Sequence, residues 1–429
     1  MAGLLGSLVD KSLVVAEPTG PALRYRLLET IRQFAAERLA EAGDGGTAAV
    51  EAAHCAHYLS VAENAAPHLT GPDQGRWLAR LDADQANLRR AARHASASPD
   101  RTEQVLRMGS ALKRYWITRN RDAEALALLM PVLDQPQARA GPELLGTALL
   151  TAAITARYVD IAAALRLGEQ AVKLARQLPT DRLLIESLAA LSATYYHAGE
   201  PERGLPPGRE AVQRARQLGD DVLLGVSLTE YLRCEALIDP AHARSLFTEA
   251  VACTQRSGDQ LFAYFMNNLA GAHALREGDI PAARAYLQQA AEAIRKIGDQ
   301  GLGVSINMGW VLRQDNDLDG ARASFEAVLR MSRRNGDRYG IAYASLGLAC
   351  LAADAGDWDP AAVLHGVAQA FLDRTGQPWE ELEARYRRGS LDRIRAHVGQ
   401  DQTERDHARG KSLSPDQALD LASGKALPA

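Results

Sequence analysis

The chain has 429 residues, 47% hydrophobic and 24% charged, with 49 Lys and Arg against 53 Asp and Glu, a balance that excludes disorder as the main state. Aromatics reach only 5%, so the core is expected to be Ala and Leu packed between helices, and a large β domain is excluded. A net charge of −4 gives no general attraction for nucleic-acid phosphates, and no stretch approaches the length of a membrane span.

Leu4 to Val14 reads as a short helix leading into a strand, Pro18 to Pro21 as a turn, and Arg24 to Leu27 as a return strand. A helix follows from Leu28 to Leu39 and ends near Gly43. Residues 1–42 are thus a helix, hairpin and helix too small to hold a core alone. Asp10 and Lys11 interrupt the apolar start, which has no basic region before it, so no export signal is expected. The scattered Cys55, Cys234, Cys253 and Cys350 fit a reducing cytoplasm. Residues 43–100 read as a helical junction.

From residue 101 to 375 a repeat governs the chain. The acidic positions Asp160, Glu200, Asp239, Asp279, Asp317 and Asp357 follow one another at 40, 39, 40, 38 and 40 residues. Four residues after them stand Ala164, Gly204, Ala243, Ala283, Ala321 and Ala361, and eleven after stand Ala171, Ala211, Ala250, Ala290, Val328 and Ala368. Eight before stand Ala152, Ser192, Tyr231, Gly271, Gly309 and Ala349. Small side chains at fixed offsets are what closely crossing helices require. Gly219-Asp220, Gly258-Asp259, Gly298-Asp299 and Gly336-Asp337 fall midway and close each second helix. An earlier, degenerate unit centres on Arg121, with Pro131 and Pro136 ending it. In residues 376–429, Pro378 opens a polar capping helix, then come a charged loop from Asp401 to Lys411 and a short amphipathic run.

The pattern running from Ala270-Gly271 through Gly278-Asp279 to Ala283 and Ala290 resembles the tetratricopeptide repeat, with a longer period. The segments Leu8 to Val14, Arg24 to Leu39 and His57 to Ala91 resemble the junction downstream of the nucleotide-binding module in AfsR/LuxR-type bacterial transcriptional regulators of the STAND ATPase class. That resemblance extends over essentially the whole chain. It implies an all-α fold, a tetratricopeptide-like right-handed α-solenoid with a small truncated winged-helix remnant over residues 1–42. Such regulators also carry a phosphate-loop ATPase and, in many members, a DNA-binding domain. The nearest approach to a phosphate loop here is Gly410-Lys411-Ser412, where Arg405 stands in place of the first glycine. The tail from Leu413 is too short for a helix-turn-helix.

No catalytic constellation is found, and neither a metal nor a cofactor is expected. His54, Cys55 and His57 lie on one helix without the further ligands a structural zinc needs. The acidic pairs Asp82/Asp84 and Glu380/Glu381/Glu383 read as solvated faces. Function is expected from a groove lined by the first helix of each unit. Offsets carried over from the resembling repeat select Arg157, Tyr196, His197, Glu235, Phe265, Asn268, Arg276, Trp310, Arg313, Gln314 and Tyr343. Aromatic anchors beside Arg and Asn donors suit a peptide, a protein partner or a small carboxylate-bearing inducer. Packing between helices is the competing fate of Phe265, Trp310 and Tyr343. The expectation is a cytoplasmic, non-enzymatic regulatory scaffold that touches neither nucleic acid nor membrane. The alternative is a fragment of a full-length ATP-dependent DNA-binding activator.

Overall fold

The computed structural model describes residues 2–19, 22–41, 44–299 and 301–422. Its first elements are helix α1 (Ala2–Asp10), strands β1 (Val14–Thr19) and β2 (Ala22–Leu27), and helix α2 (Glu29–Glu41). The strands pair antiparallel, Val14 opposite Leu27 and Glu17 opposite Arg24. Gly20 and Pro21 of the expected turn, and Gly43, lie outside the described residues. Within this segment Val14 is the one described side chain that is buried, while Leu4, Leu23, Tyr25 and Phe34 are exposed. Arg24 anchors the hairpin, donating to Asp84 Oδ1 at 2.7 Å and Ala83 O at 2.8 Å.

Helices α3 (Asp44–Ala65), α4 (Gln74–Ala83) and α5 (Gln85–Ser96) lead to α6 (Thr102–Thr118) and α7 (Asp122–Leu129), which turn at Arg121. Six helical hairpins follow: α8 (Pro142–Ala156) with α9 (Ile161–Ala175), α10 (Asp181–His197) with α11 (Pro201–Leu218), and α12 (Asp221–Ile238) with α13 (Pro240–Ser257). Then come α14 (Gln260–Glu277) with α15 (Ile280–Lys296), α16 (Leu302–Gln314) with α17 (Leu318–Asn335), and α18 (Arg338–Ala355) with α19 (Trp358–Asp373). Serial hairpins of this kind form an α-solenoid.

Every acidic mark of the repeat stands just before the second helix of its hairpin. There a carboxylate can accept from backbone N–H groups that have no partner within the helix. Asp160 accepts from Ala163 N at 3.0 Å, Asp239 from His242 N at 3.0 Å, Asp279 from Ala282 N at 3.0 Å and Asp317 from Gly320 N at 2.9 Å. The intervening turns work alike: Gly219, Gly258 and Gly336 end one helix at positive φ, and Asp220, Asp259 and Asp337 cap the next. Asp299 departs from the pattern, because α16 starts only after Gly301. The recurrent small residues are the crossing points. A Cβ on Gly271 would sit 2.7 Å from Leu287, and one on Gly309 2.7 Å from Phe325.

Beyond the array lie α20 (Glu381–Val398), α21 (Gln400–Lys411) and α22 (Pro415–Ala422). One expectation for this region is corrected. The segment read as a charged loop is α21, which crosses α19 where Gly410 meets Val363 and Gly366 backbone with no room for a side chain. Its Gln, Glu and Arg residues are good helix formers, and their charges suit a face toward water. Helix α20 packs on the last hairpin, Leu391 and Ile394 against Ala352, Ala353, Ala361 and Ala362, and also reaches α16, with Tyr386 tilted on Trp310 at a ring distance of 4.5 Å.

Long-range contacts close the superhelix on itself. Arg119 donates to Ile297 O at 2.9 Å, and the amide oxygen of Gln74 accepts from Gln260 N at 3.1 Å, tying the junction helices to the middle of the array. At the far end Thr375 O accepts from Ile161 N at 3.1 Å, and the Gln377 amide donates to Arg157 O. The start of the array is therefore fastened to both its middle and its end.

Candidate functional site

The superhelix holds a partly open cavity of about 390 Å³ whose wall is built from the first helices of successive hairpins. Arg157, Tyr196, His197, Phe265, Asn268, Arg276 and Tyr343 border it. Trp310, Arg313, Gln314 and Glu235 do not. Trp310 is fully buried between Phe325 and Tyr386, Arg313 is paired with Asp354 at 2.6 and 3.0 Å, and Gln314 donates to the Tyr386 hydroxyl at 2.9 Å. Tyr386 of α20 touches all three, while Gln314 stays exposed. Glu235 is likewise buried away from the cavity, accepting from Tyr231 at 2.7 Å and meeting His242.

One end of the cavity is densely polar. Arg157 ends α8 and is 3% exposed; its Nη2 donates to Ala190 O at 3.0 Å, its Nη1 lies 3.5 Å from Glu230, and its Nε has no partner. Arg233 shares Glu230 with it at 3.2 Å. His197 is also 3% exposed, set edge-on between Tyr158 and Tyr196 with both ring nitrogens unbonded. Burial, aided by the charges of Arg233 and Arg157, holds its pKa far below the usual imidazole value, so it is neutral.

The strongest contacts come from a residue outside the repeat. Glu380 accepts from the Tyr196 hydroxyl of α10 at 2.8 Å and, through its other oxygen, from the Tyr339 hydroxyl of α18 at 2.8 Å. Its backbone N donates to the Tyr343 hydroxyl at 3.4 Å. Glu383, one turn on, is 4% exposed, and burial together with the nearby Glu380 raises its carboxyl well above the ordinary range. Asp122 at the start of α7 also borders the cavity and is pushed up to about 8, by burial first and then by Asp337, against the pull of Arg157.

Of the acidic residues read as solvated faces, Glu381 is exposed, while the others have partners or turn toward the cavity. Glu380 and Glu383 point inward, Asp84 holds Arg24, and Asp82 accepts from Tyr115 and Arg119. Counting offsets within the repeat could not find Glu380 or Tyr339, since neither falls on a groove position. The signal was Trp379 beside the acidic run: an indole is seldom left in water next to a helix start. Its ring packs on Tyr343 at 5.3 Å and brings Glu380 in with it.

Among the described residues no group of three or more His, Cys, Asp and Glu is placed to hold a metal ion, and no helix is long and apolar enough to cross a membrane. Cys55 is buried against Ala91 O at 3.5 Å, and His54 and His57 pack on Tyr58.

No family model matches the chain. Over 230 residues, half of its length, it is 33% identical to proteins named as HTH-type transcriptional regulators of Mycobacterium bovis and Mycobacterium tuberculosis. It covers 24% of the length of those relatives. Among solved structures it is similar to a Rap protein complexed with Competence and Sporulation Factor, with a TM-score of 0.52, 12% identity, and coverage of 85% of this chain and 99% of that one. A STAND protein with a tetratricopeptide repeat sensor from Pyrococcus horikoshii gives a TM-score of 0.44 at 14% identity, covering 98% of this chain and 55% of that one. The likeness to the Rap protein, at 12% identity, is one of fold, that of a helical-repeat protein.

Proposed function

We propose that the chain is a non-enzymatic regulatory scaffold, the sensor and partner-binding portion of an AfsR/LuxR-type STAND transcriptional regulator, and that the cavity takes a peptide or small inducer. The observation that carries this reading is the polar end of the cavity, where His197 and Arg157 keep buried hydrogen-bonding atoms without partners. An unpaired buried donor raises the free energy of the empty state, and a ligand supplying the partner recovers it. The regulators of Mycobacterium that match half the chain support the regulatory side. The Rap protein complexed with its factor supports binding by this class of fold.

In this reading residues 1–42 are the winged-helix remnant, 43–100 the junction, 101–375 the sensor array and 376–429 its cap and tail. Ligand binding would bias a nucleotide-dependent switch through the junction helices, since a ligand shifts a two-state equilibrium by its differential affinity for the two states. The test is a thermal-shift screen of peptides and metabolites on the purified chain, followed by Arg276→Ala. Hits that stabilise the wild type and fail with the variant support the reading; hits that bind both equally oppose it.

A second reading, a fragment of an ATP-dependent DNA-binding activator, is favoured by the coverage of only 24% of the named relatives. An in-frame phosphate loop encoded immediately upstream of Met1 would decide for it.

A further inference from the structure

Residues Gly376 to Glu380 form a strap between α19 and α20 that runs across the beginning of the array. It is held by Gln377 on Arg157 O, by Thr375 O on Ile161 N at 3.1 Å, and by Pro378 against Gly199, where a Cβ would lie 2.9 Å from the proline ring. Glu380 completes the strap. A hydroxyl from α10 on one carboxylate oxygen and a hydroxyl from α18 on the other make a two-armed receptor for a carboxylate, assembled from helices far apart in the sequence.

The receptor offers more than Glu380 uses. His197 Nδ1 lies 3.8 Å from the nearer Glu380 oxygen, beyond a hydrogen bond, and both of its ring nitrogens are unbonded although the side chain is almost wholly buried. Arg157 Nε is in the same condition. Arg276 also faces the cavity and has His273 beside it at 3.3 Å as its hydrogen-bond partner. A polar atom buried without a partner is costly to keep. An unbonded imidazole beside one bound carboxylate, with Arg157 on the same cavity wall, fits a ligand that brings a carboxylate together with further polar atoms on its body.

We infer that Tyr196, Tyr339, His197 and Arg157 form a subsite for a small carboxylate-bearing ligand, and that Glu380 is its built-in stand-in, displaced when the ligand's carboxylate takes the two tyrosine hydroxyls. This inference rests on the cavity being a sensor site and names the chemistry recognised there. A consequence for regulation follows: the strap closes the superhelix, so a ligand that expels Glu380 also loosens the tie between the two ends of the array. A carboxylate is favoured over a phosphate because the two tyrosine hydroxyls are already spaced on the two oxygens of a carboxylate, Glu380.

Chemical complementation tests this on the full chain. Glu380→Ala is melted in sodium acetate and in acetamide at matched ionic strength, alone and with Tyr196→Phe and Tyr339→Phe added. The expected result is a melting point lowered by a few degrees, restored saturably by acetate and not by acetamide, with the rescue abolished by the paired phenylalanines. Equal effects of acetate and acetamide, or rescue that survives the phenylalanines, would overturn the inference. Should Glu380→Ala not fold, the isosteric Glu380→Gln and the wild type serve in hydrogen exchange, with exchange over residues 376–383 followed as probe is added. Acetate, succinate and N-acetyl-glycyl-phenylalanine are the probes, each against its amide. Faster strap exchange with succinate alone points to a free organic acid, and with the dipeptide alone to a peptide C-terminus. A probe that binds in the cavity and leaves strap exchange unchanged sinks the displacement while the sensor reading stands. No binding by any ligand of the wider screen sinks the sensor reading itself.

Discussion

Arg114 of α6 and Asp259, the residue that caps α14, form an ion pair across 145 positions of sequence, with the Asp259 carboxylate wholly buried. Asp259 also accepts from Phe262 N at 2.9 Å, so one carboxylate starts helix α14 and fastens α6 to it. Removing the guanidinium strands a buried charge, for which the usual cost is about 3 kcal/mol or more. Arg114→Ala is expected to lower the melting temperature clearly, and Arg114→Met with Asp259→Asn to recover part of the loss. A double-mutant cycle in denaturant measures the coupling, and additive single effects would show that the pair does not act as a unit.

Trp310 supplies a contrast between packing and recognition. It has no exposed surface and is wedged between Phe325 and Tyr386, so Trp310→Ala should destabilise by roughly 3–5 kcal/mol through the cavity it leaves. Its effect on ligand binding should follow only from lost folding. Comparing denaturant midpoints with affinity measured well below the melting transition separates the two; weakened affinity in a fully folded variant would put Trp310 in the site.

Crossing points predict a third outcome. Gly309 admits no Cβ without moving the Phe325 ring, so Gly309→Ala is expected to cost about 1–3 kcal/mol. At Gly219, where φ is +69° and nothing crowds the position, alanine should cost about 1 kcal/mol from backbone strain alone. Urea denaturation of both variants checks the order, and a larger loss at Gly219 would contradict the packing argument.

Asp122 and Glu383 make stability depend on pH. Asp122 rises from an ordinary 3.8 to about 8 in the folded chain, and Glu383 is also raised by burial. Between those limits the folded protein keeps protons that the unfolded chain has lost, so the unfolded state binds fewer protons and stability falls as pH rises. The contribution is complete below about pH 4 and declines until the folded groups ionise near pH 8. Asp122→Asn with Glu383→Gln should flatten the loss of melting temperature between about pH 5 and pH 8. An unchanged slope would show that neither carboxyl is held protonated.

How much could be read from the chain follows from where the constraints lie. The hairpins were legible because each turn needs the same solution, an Asp to cap and a Gly to stop, and each crossing needs a small side chain. Residues such as Asp239, Gly258 and Ala283 repeat for that reason. Arg157, Tyr196 and His197 were found because groove positions recur with the repeat. The ring closure was not legible, since contacts such as Gln377 with Arg157 join segments 220 positions apart and obey no period. For the same reason Trp310, Arg313 and Gln314 looked available: nothing local to them reports that Tyr386 of α20 reaches them.

The cavity is proposed to bind a ligand and leave it chemically unchanged. Its most direct test is calorimetric titration of a screened ligand into the wild type and Arg276→Ala, with product analysis of the ligand recovered afterward. The account predicts saturable binding to the wild type, at least tenfold weaker binding to the variant at an unchanged melting temperature, which corresponds to about 1.4 kcal/mol, and ligand recovered intact. Equal affinity for both proteins, or a ligand chemically altered on recovery, would contradict it.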